Sequence, residues 1–133
     1  NSGCRFSSNR SEGIKKIPPG IYGVSNGYFD EPWPKLETGK LALQKSLKSA
    51  VDIENLLAIL ADRDQAADDL LPRTGVSTEF ERLLSSRFIH SKEYGTRASS
   101  VVLFAADGSV SVTEQNFGQT GALGIAVTEV LPK

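Results

Sequence analysis

The stretch IPPGIYGVSNGYFDEPW, residues 17–33, separates the predicted N-terminal strands from the predicted helices of the middle of the chain. Its opening, Pro-Pro-Gly at 18–20, excludes a helix, because proline lacks a backbone N–H and restricts the residue before it. The residues Ile21, Tyr22 and Val24 follow at once and predict a short strand. We therefore expect the chain to run through a buried strand here and to leave it in a polar turn.

That polar turn contains the first candidate site. Ser25 and Asn26 lie at the end of the predicted strand, and Tyr28, Phe29 and Trp33 follow directly. An amide side chain between a strand and an aromatic cluster is typical of a pocket. A plain turn under an aromatic lid explains the same pattern, because polar turns are common on loops of every kind. The local pattern leaves both interpretations open.

Composition limits the class of protein and its partners. The chain has 133 residues, of which 39% are hydrophobic and 23% are charged, with a formal net charge of -1. This is one domain's length with enough apolar residues for a core. Lysine and arginine are not clustered as a nucleic-acid interface requires, and no apolar run has membrane-spanning length. We therefore expect neither a nucleic-acid partner nor a membrane span.

Two residue counts bear on the compartment and on the extent of the chain. One cysteine cannot form an internal disulfide, so it leaves the redox compartment unconstrained, and a reducing cytoplasmic compartment is the default expectation. The absence of methionine leads us to expect a processed chain or a piece of a longer protein.

The middle of the chain is predicted to be helical. An amphipathic helix is expected over 34–50, starting at Pro34, and a second one over 53–61, capped by Asp52. The short connection between them favours an antiparallel helical hairpin.

An acidic segment and a short helix follow the hairpin. Residues 62–75 contain several aspartates, but their spacing lacks the glycine and final glutamate of a calcium-binding loop, so a solvated loop is predicted. Ser77 is expected to cap a helix over 78–84, with Phe80, Leu83 and Leu84 directed inward.

Strands are predicted at both ends of the chain. Short strands are expected over 4–6 and 14–17, separated by a polar loop over 7–13. In the last third, strands are expected over 99–105, 109–114 and 120–130, the first two joined by a hairpin turn at Asp107-Gly108. This order favours an α+β fold with antiparallel strands.

The second candidate site is the segment EYGTR, residues 93–97. Gly95 allows a close turn, and Arg97 stands where the strongest predicted strand begins. A guanidinium there could bind a carboxylate or a developing anion, and a structural ion pair is the alternative. His90 and Cys4 have no neighbouring ligand residues in the sequence, so no metal site is predicted.

Three segments together resemble a known family. They are PPGIYGVSNGYFDEPWPKLETGK, LPRTGVSTEFERLLSSRFI and EYGTRASSVVLFAADGSVSVTEQNF, which cover nearly the whole chain in order. They resemble the C-terminal half of the NRDE family, also called transport and Golgi organisation protein 2. The letters NRSE at 9–12 imitate the motif that names this family, but they lack its aspartate and stand in a different place, so we treat them as coincidence.

The resemblance implies a fold and a domain boundary. The family is similar to the N-terminal-nucleophile (Ntn) hydrolases, which form a four-layer αββα sandwich. Residues 1–133 would then be the C-terminal half of one such domain. The N-terminal half, absent from this chain, would be its partner and would supply the nucleophilic cysteine.

The resemblance also implies roles for individual residues. Asn26 would donate to an oxyanion, Arg97 would favour the thiolate form of the nucleophile, and Tyr22 and Ser25 would contribute to substrate binding. The implied activity is hydrolysis of a carbon–nitrogen bond in a small-molecule amide, without a cofactor; a homo-oligomer is a further expected assembly. The alternative is a non-catalytic binding or trafficking protein, handling haem or lipid or organising the secretory pathway.

Overall fold

A β-hairpin, a helical segment and a four-stranded antiparallel sheet follow one another along residues 3–131, the part of the chain that this computed structural model describes. The elements are β1 (Arg5–Ser8), β2 (Ser11–Lys16), α1 (Pro34–Ser46), α2 (Ile53–Leu60), α3 (Thr78–Leu84), β3 (Ala98–Phe104), β4 (Val110–Gly118), β5 (Gly121–Ala122) and β6 (Val127–Leu131). A short 3-10 turn, Asp68–Leu70, lies between α2 and α3. The predicted α+β class with antiparallel strands is confirmed.

The N-terminal hairpin is longer than predicted. The loop expected over 7–13 contracts to a turn at Asn9 and Arg10, and β2 begins at Ser11. The Ser8 hydroxyl accepts from the backbone N–H of Arg10 at 3.0 Å and lies 3.4 Å from the Ser11 hydroxyl. Small polar side chains thus close the turn locally, and the polar residues after it pair as a strand.

The strand predicted over residues 21–24 is wrong. Gly23 donates its N–H to the Asp30 carboxylate at 3.1 Å, and its carbonyl accepts from the Asp30 N–H at 2.9 Å. Both backbone groups of Gly23 are therefore used within a loop, and the preceding prolines limit the donors available for pairing. Residues 17–33 form an ordered loop leading into α1.

The helices begin where the sequence predicts. Pro34 starts α1, and the Asp52 side chain caps α2 by accepting from the Glu54 N–H at 3.1 Å. However, α1 ends at Ser46 rather than at residue 50. Its last turn tightens, with the Lys48 N–H bonding to the Lys45 carbonyl at 3.2 Å, and this three-residue spacing ends the α-helical ladder.

The inward face of α3 differs from the prediction. Ser77 caps the helix as expected, accepting from the Phe80 N–H at 3.3 Å, but the Phe80 side chain is exposed. Glu81 is buried instead, because the Thr74 hydroxyl donates to its carboxylate at 2.7 Å and the Thr74 N–H donates to the same oxygen. Phe80 packs its ring near that of Tyr94.

The C-terminal sheet has β4 at its centre. β3 pairs with one side of β4, and β5 and β6 pair with the other. The hairpin turn is confirmed: Gly108 adopts φ 90°, and the Ala105 N–H donates to the Ser109 carbonyl at 2.9 Å. The predicted strand over 120–130 is divided into β5 and β6, because Gly124 between them adopts a positive φ of 71° that interrupts a strand.

The two faces of this sheet have different surroundings. Alternate residues of a strand point to opposite faces, and directly paired residues share a face. Val101 on β3 and its partner Thr113 on β4 share the face that includes the buried Ser99, and β3 contacts α2. The other face, which we call the open sheet face, carries the apolar residues Val102, Phe104, Val110, Val112, Val127 and Leu131, with the polar residues Ser100, Glu114 and Glu129 beside them. Phe104 and Val127 are 80% and 61% exposed there.

Candidate functional site

A large cavity lies beside the loop over 17–33. It has a volume of about 810 Å³, and we call it the Asn26 cavity. Its walls come from the loop, from the turn of the N-terminal hairpin, from the start of α1, and from α3 with the segments on either side of it. Residues that represent these walls are Asn26, Tyr28, Trp33, Arg73, Glu81 and Tyr94.

The Asn26 side chain offers a free donor at this cavity. The Ser25 hydroxyl donates to its Oδ1 atom at 3.5 Å. Within residues 3–131, no protein group accepts from its amide nitrogen. A primary amide has two N–H donors. The side chain is therefore held weakly through its oxygen while its nitrogen can donate to a ligand.

The loop that carries Asn26 is anchored to α1. Lys40 forms salt bridges with Asp30 at 3.0 Å and with Glu37 at 2.7 Å. The hydrogen bond from Lys40, together with the Gly23 N–H, lowers the pKa of Asp30. The hydrogen bonds to Glu37 and then Asp30 raise the pKa of Lys40. The two charges thus stay ionised together, and the Asp30 end of the loop is tied to α1.

Close packing also fixes this loop at Gly23. A Cβ atom on Gly23 would lie 1.9 Å from Leu36 Cδ2 on α1. A larger residue at this position would require either the Leu36 side chain or the loop to shift.

We expect Gly23→Ala to lower the free energy of unfolding by about 1–3 kcal/mol, the usual range for overpacking. Urea titration would measure the change. The matched control is Gly3→Ala, where the new Cβ would meet only the flexible end of Lys16 at 3.3 Å. Equal midpoints for the two variants would contradict the close contact. The double variant Gly23→Ala/Leu36→Ala should lose less free energy of unfolding than the sum of the losses of the two single variants.

Tyr22 and Ser25 line a second cavity of about 610 Å³ rather than the Asn26 cavity. This second cavity lies between the loop, α1, α2 and β3. The Tyr22 ring packs on Phe29, with centroids 5.3 Å apart, and Phe29 packs on Phe6 at 4.6 Å. Tyr22 therefore belongs to an aromatic cluster that joins the loop to the hairpin, and Ser25 connects to Asn26 through its hydroxyl.

Arg97 lines a third cavity, of about 240 Å³, together with His90 and Gln119. Asn26 and Arg97 therefore line different cavities, although Ile89 and Tyr94 contribute to the walls of both. The alternative of a structural ion pair is not seen, since Arg97 has no salt bridge within the described part of the chain.

A tight loop fixes the position of Arg97. The Thr96 N–H donates to the Ile89 carbonyl at 2.8 Å, and the Thr96 hydroxyl accepts from the Ile89 N–H at 2.9 Å. Gly95 permits this approach, because a Cβ atom there would lie 2.9 Å from the Ile89 carbonyl oxygen. The predicted close turn at Gly95 is confirmed.

Two positively charged residues near the site were not identified from the sequence. Lys35 donates to the Leu84 carbonyl at 2.8 Å, and burial lowers the pKa of its ammonium group. Arg87 donates to Ile59 O at 2.8 Å, to Thr38 Oγ1 and to the Asp62 carboxylate. Their partners are 25 to 52 residues away in the chain, so no local pattern could have shown these contacts.

Across residues 3–131, no group of three or more His, Cys, Asp or Glu side chains could hold a metal ion. Cys4 and His90 are both exposed. No helix in the described ranges is long and apolar enough to cross a membrane.

Comparison with known proteins places this chain in a family. The family model described as Transport and Golgi organisation 2 matches residues 1–119. The chain belongs to the Transport and Golgi organisation 2 family. The resemblance found in the sequence is thereby confirmed, and the match includes both the loop of Asn26 and the segment of Arg97.

Three mammalian members of the Transport and Golgi organisation 2 family are similar to this chain. A homologue of transport and Golgi organization protein 2 from Bos taurus is 32% identical over 124 residues, which is 85% of this chain and 44% of that protein. The homologue from Homo sapiens is 29% identical and the one from Mus musculus 27%, each over 75% of this chain and 40% of the relative. The chain thus spans less than half the length of these relatives.

Proposed function

We propose that residues 1–133 form the C-terminal half of an Ntn-type hydrolase that cleaves carbon–nitrogen bonds in small-molecule amides. The nucleophilic cysteine would come from an N-terminal half outside this chain. Its thiolate would attack the amide carbonyl carbon to form a carbon–sulfur bond, and the carbon–nitrogen bond would break as the departing amine takes up a proton. Water would then hydrolyse the thioester, which releases the carboxylic acid and regenerates the cysteine thiol. The relatives' greater length is consistent with such a second half.

The observation that carries this proposal is the free amide nitrogen of Asn26 at a large cavity. An acyl transfer develops negative charge on the carbonyl oxygen, and a fixed N–H donor stabilises that charge more than it stabilises the substrate. Ser25 would orient the amide by donating to its oxygen at 3.5 Å. Asn26 would thus be one donor of an oxyanion hole.

Arg97 and Tyr22 have supporting roles in this proposal. Arg97 has no carboxylate partner among the described residues, and it shares cavity walls with Asn26. Its positive charge would favour the thiolate of a cysteine placed between the two cavities. Tyr22, packed on Phe29, would form the part of the substrate site that adjoins the second cavity.

The open sheet face is where we place the N-terminal half. Large apolar side chains exposed together on one face mark an interaction surface. Phe104, Val127, Leu131 and Val102 are 80%, 61%, 52% and 48% exposed on this face, whereas α2 contacts β3. A second sheet on the open sheet face would complete the four-layer αββα arrangement of an Ntn hydrolase.

We expect the chain on its own to self-associate through the open sheet face, forming a homo-oligomer. Phe104→Lys should shift its elution toward the monomer, because a buried lysine would leave a charge without a partner. Light scattering coupled to size-exclusion chromatography would measure the mass. The matched control is Ile14→Lys on β2, which is 69% exposed but lies outside this face. A monomeric wild-type chain at high concentration would contradict this expectation.

The activity itself is tested by co-expressing this chain with the N-terminal half and assaying release of amine from a series of small amides. The proposal expects turnover that requires both halves and the N-terminal cysteine. Absence of turnover across that series in a folded complex would argue against the hydrolase.

A second candidate is a non-catalytic binding or trafficking function. The names of the relatives refer to transport and Golgi organization. The second cavity favours an apolar ligand such as a lipid, because leucines from α1 and α2 form much of its wall. Retention of a lipid by the two-half complex, without any amide turnover, would support this alternative.

We also propose a cytoplasmic location, since the chain's single cysteine is exposed and cannot form an internal disulfide.

A further inference from the structure

The Asn26 cavity has aromatic walls on two sides. Tyr28 and Trp33 line it from the loop, and Tyr94 lines it from the segment after α3. Tyr28 and Tyr94 are 61% and 53% exposed, so their rings are accessible to a ligand. Aromatic side chains bind a planar ring through stacking or edge-to-face contacts. These walls therefore suit a ligand that carries an aromatic group.

The same cavity carries positive charge without protein partners. Arg10 and Arg73 line it, both side chains are exposed, and neither forms a salt bridge within residues 3–131. A guanidinium binds a carboxylate through two parallel hydrogen bonds. The two arginines can therefore receive an anionic group at the edge of the cavity.

The two carboxylates that line the cavity, Glu31 and Glu81, accept hydrogen bonds from protein donors. Glu31 accepts from the Tyr28 N–H at 2.8 Å. Glu81 is buried and accepts from the hydroxyl and the N–H of Thr74. Neither forms a salt bridge with Arg10 or Arg73 in the described part of the chain. Hydrogen bonds from neutral donors do not remove the charge of these two carboxylates, but Arg10, Lys35 and Arg73 all line the cavity, so cationic side chains are in excess.

We propose that the Asn26 cavity selects amides that carry an aromatic ring and a terminal carboxylate, such as N-aroyl amino acids. This inference rests on the proposed amide hydrolysis and names its substrate class. The ring would lie between Trp33 and Tyr94, the amide carbonyl would face the Asn26 nitrogen, and Arg10 and Arg73 would bind the carboxylate.

Three benzamides that differ only in terminal charge test this selection. N-benzoylglycine has a carboxylate, N-benzoylglycinamide is neutral, and N-(2-aminoethyl)benzamide is a cation. Each is titrated into the 133-residue chain, and binding is followed by the fluorescence of Trp33, the only tryptophan of the chain, and by calorimetry. We expect the carboxylate to bind about tenfold more tightly than the neutral amide and the cation to bind most weakly.

Arg10→Gln and Arg73→Gln should each weaken N-benzoylglycine binding about fivefold or more while leaving the affinity for the neutral amide unchanged. Arg5→Gln on β1 is the matched control, since Arg5 does not line the cavity, and it should change neither affinity. Circular dichroism verifies that each variant is folded. Equal affinities for the three benzamides, or insensitivity to both arginine variants, would overturn the inference.

This titration separates the inference from the proposed function because it measures binding without turnover. Charge-selective binding by the chain together with an inactive two-half complex would contradict only the hydrolase. Amide turnover by the complex together with equal affinities would contradict only the substrate class.

Discussion

Asn26→Ala is expected to lower kcat/KM for amide hydrolysis by about 10²–10³-fold in the complex of the two halves. This is the usual loss when one oxyanion donor is removed. The Asn26 nitrogen has no acceptor within residues 3–131, so alanine removes a donor without breaking a contact of the fold, apart from the 3.5 Å bond from Ser25. Steady-state kinetics would measure the change, and most of the loss should be in kcat.

The matched control for Asn26→Ala is Asn55→Ala. Asn55 is an exposed residue of α2 whose side chain bonds to Asp52 at 2.8 Å, and it lines none of the three cavities. Its replacement should leave kcat/KM unchanged. If Asn26→Ala retained wild-type turnover, Asn26 would not be an oxyanion donor, whatever the activity of the complex.

Arg87→Ala should lower the free energy of unfolding by about 3 kcal/mol, because it leaves a partly buried carboxylate without its partner. The Asp62 side chain is 28% exposed and that of Arg87 15%, so little water can replace the lost contacts. Arg87 also donates to Ile59 O and Thr38 Oγ1, which joins the segment after α3 to both α1 and α2. With a typical slope for urea, the midpoint should fall by about 1.5 M.

Arg82→Ala provides the comparison for Arg87→Ala. Arg82 pairs with Asp68 at 2.7 Å, but these side chains are 40% and 57% exposed. Exposed salt bridges contribute about 0–1 kcal/mol to the free energy of unfolding, so the urea midpoint of this variant should lie near that of the wild type. Similar losses for the two arginine variants would show that Arg87 does not join the helices.

The parts of the fold that depend on local chemistry could be predicted from the sequence. Pro34, Asp52 and Ser77 start the three helices as expected, since each acts on backbone groups within a few residues. The Asp107-Gly108 turn is similarly local. The α+β class follows from the order of these elements along the chain.

The parts that depend on distant contacts could not be predicted. The residues around Gly23 are typical of a strand, but Asp30, seven residues later, forms hydrogen bonds with both the N–H and the carbonyl of Gly23. Glu81 is buried through Thr74, and Arg87 finds partners on both preceding helices. Charged residues are usually assigned to the surface from sequence, and only the tertiary contacts show which of them are buried.

In the candidate site, too, features set by local sequence could be predicted and features set by distant contacts could not. Asn26 was singled out from the polar turn and the aromatic residues around it, and it does line a large cavity with Trp33. Its juxtaposition with Arg97 was expected from the resemblance alone. In residues 3–131 the two side chains line neighbouring cavities, with Ile89 and Tyr94 in the walls of both. Whether a second half brings a cysteine to both of them is the main proposal to be tested.

A crystal structure of the co-expressed two-half complex would test that proposal most directly, through the distance between Asn26 Nδ2 and the nearest cysteine Sγ of the N-terminal half. An oxyanion that accepts from Asn26 while its carbon is bonded to sulfur requires a separation of about 5 Å or less. We predict such a distance, with the N-terminal half packed on the open sheet face. A nearest cysteine more than about 10 Å from Asn26, beyond the reach of any shared carbonyl group, would contradict it.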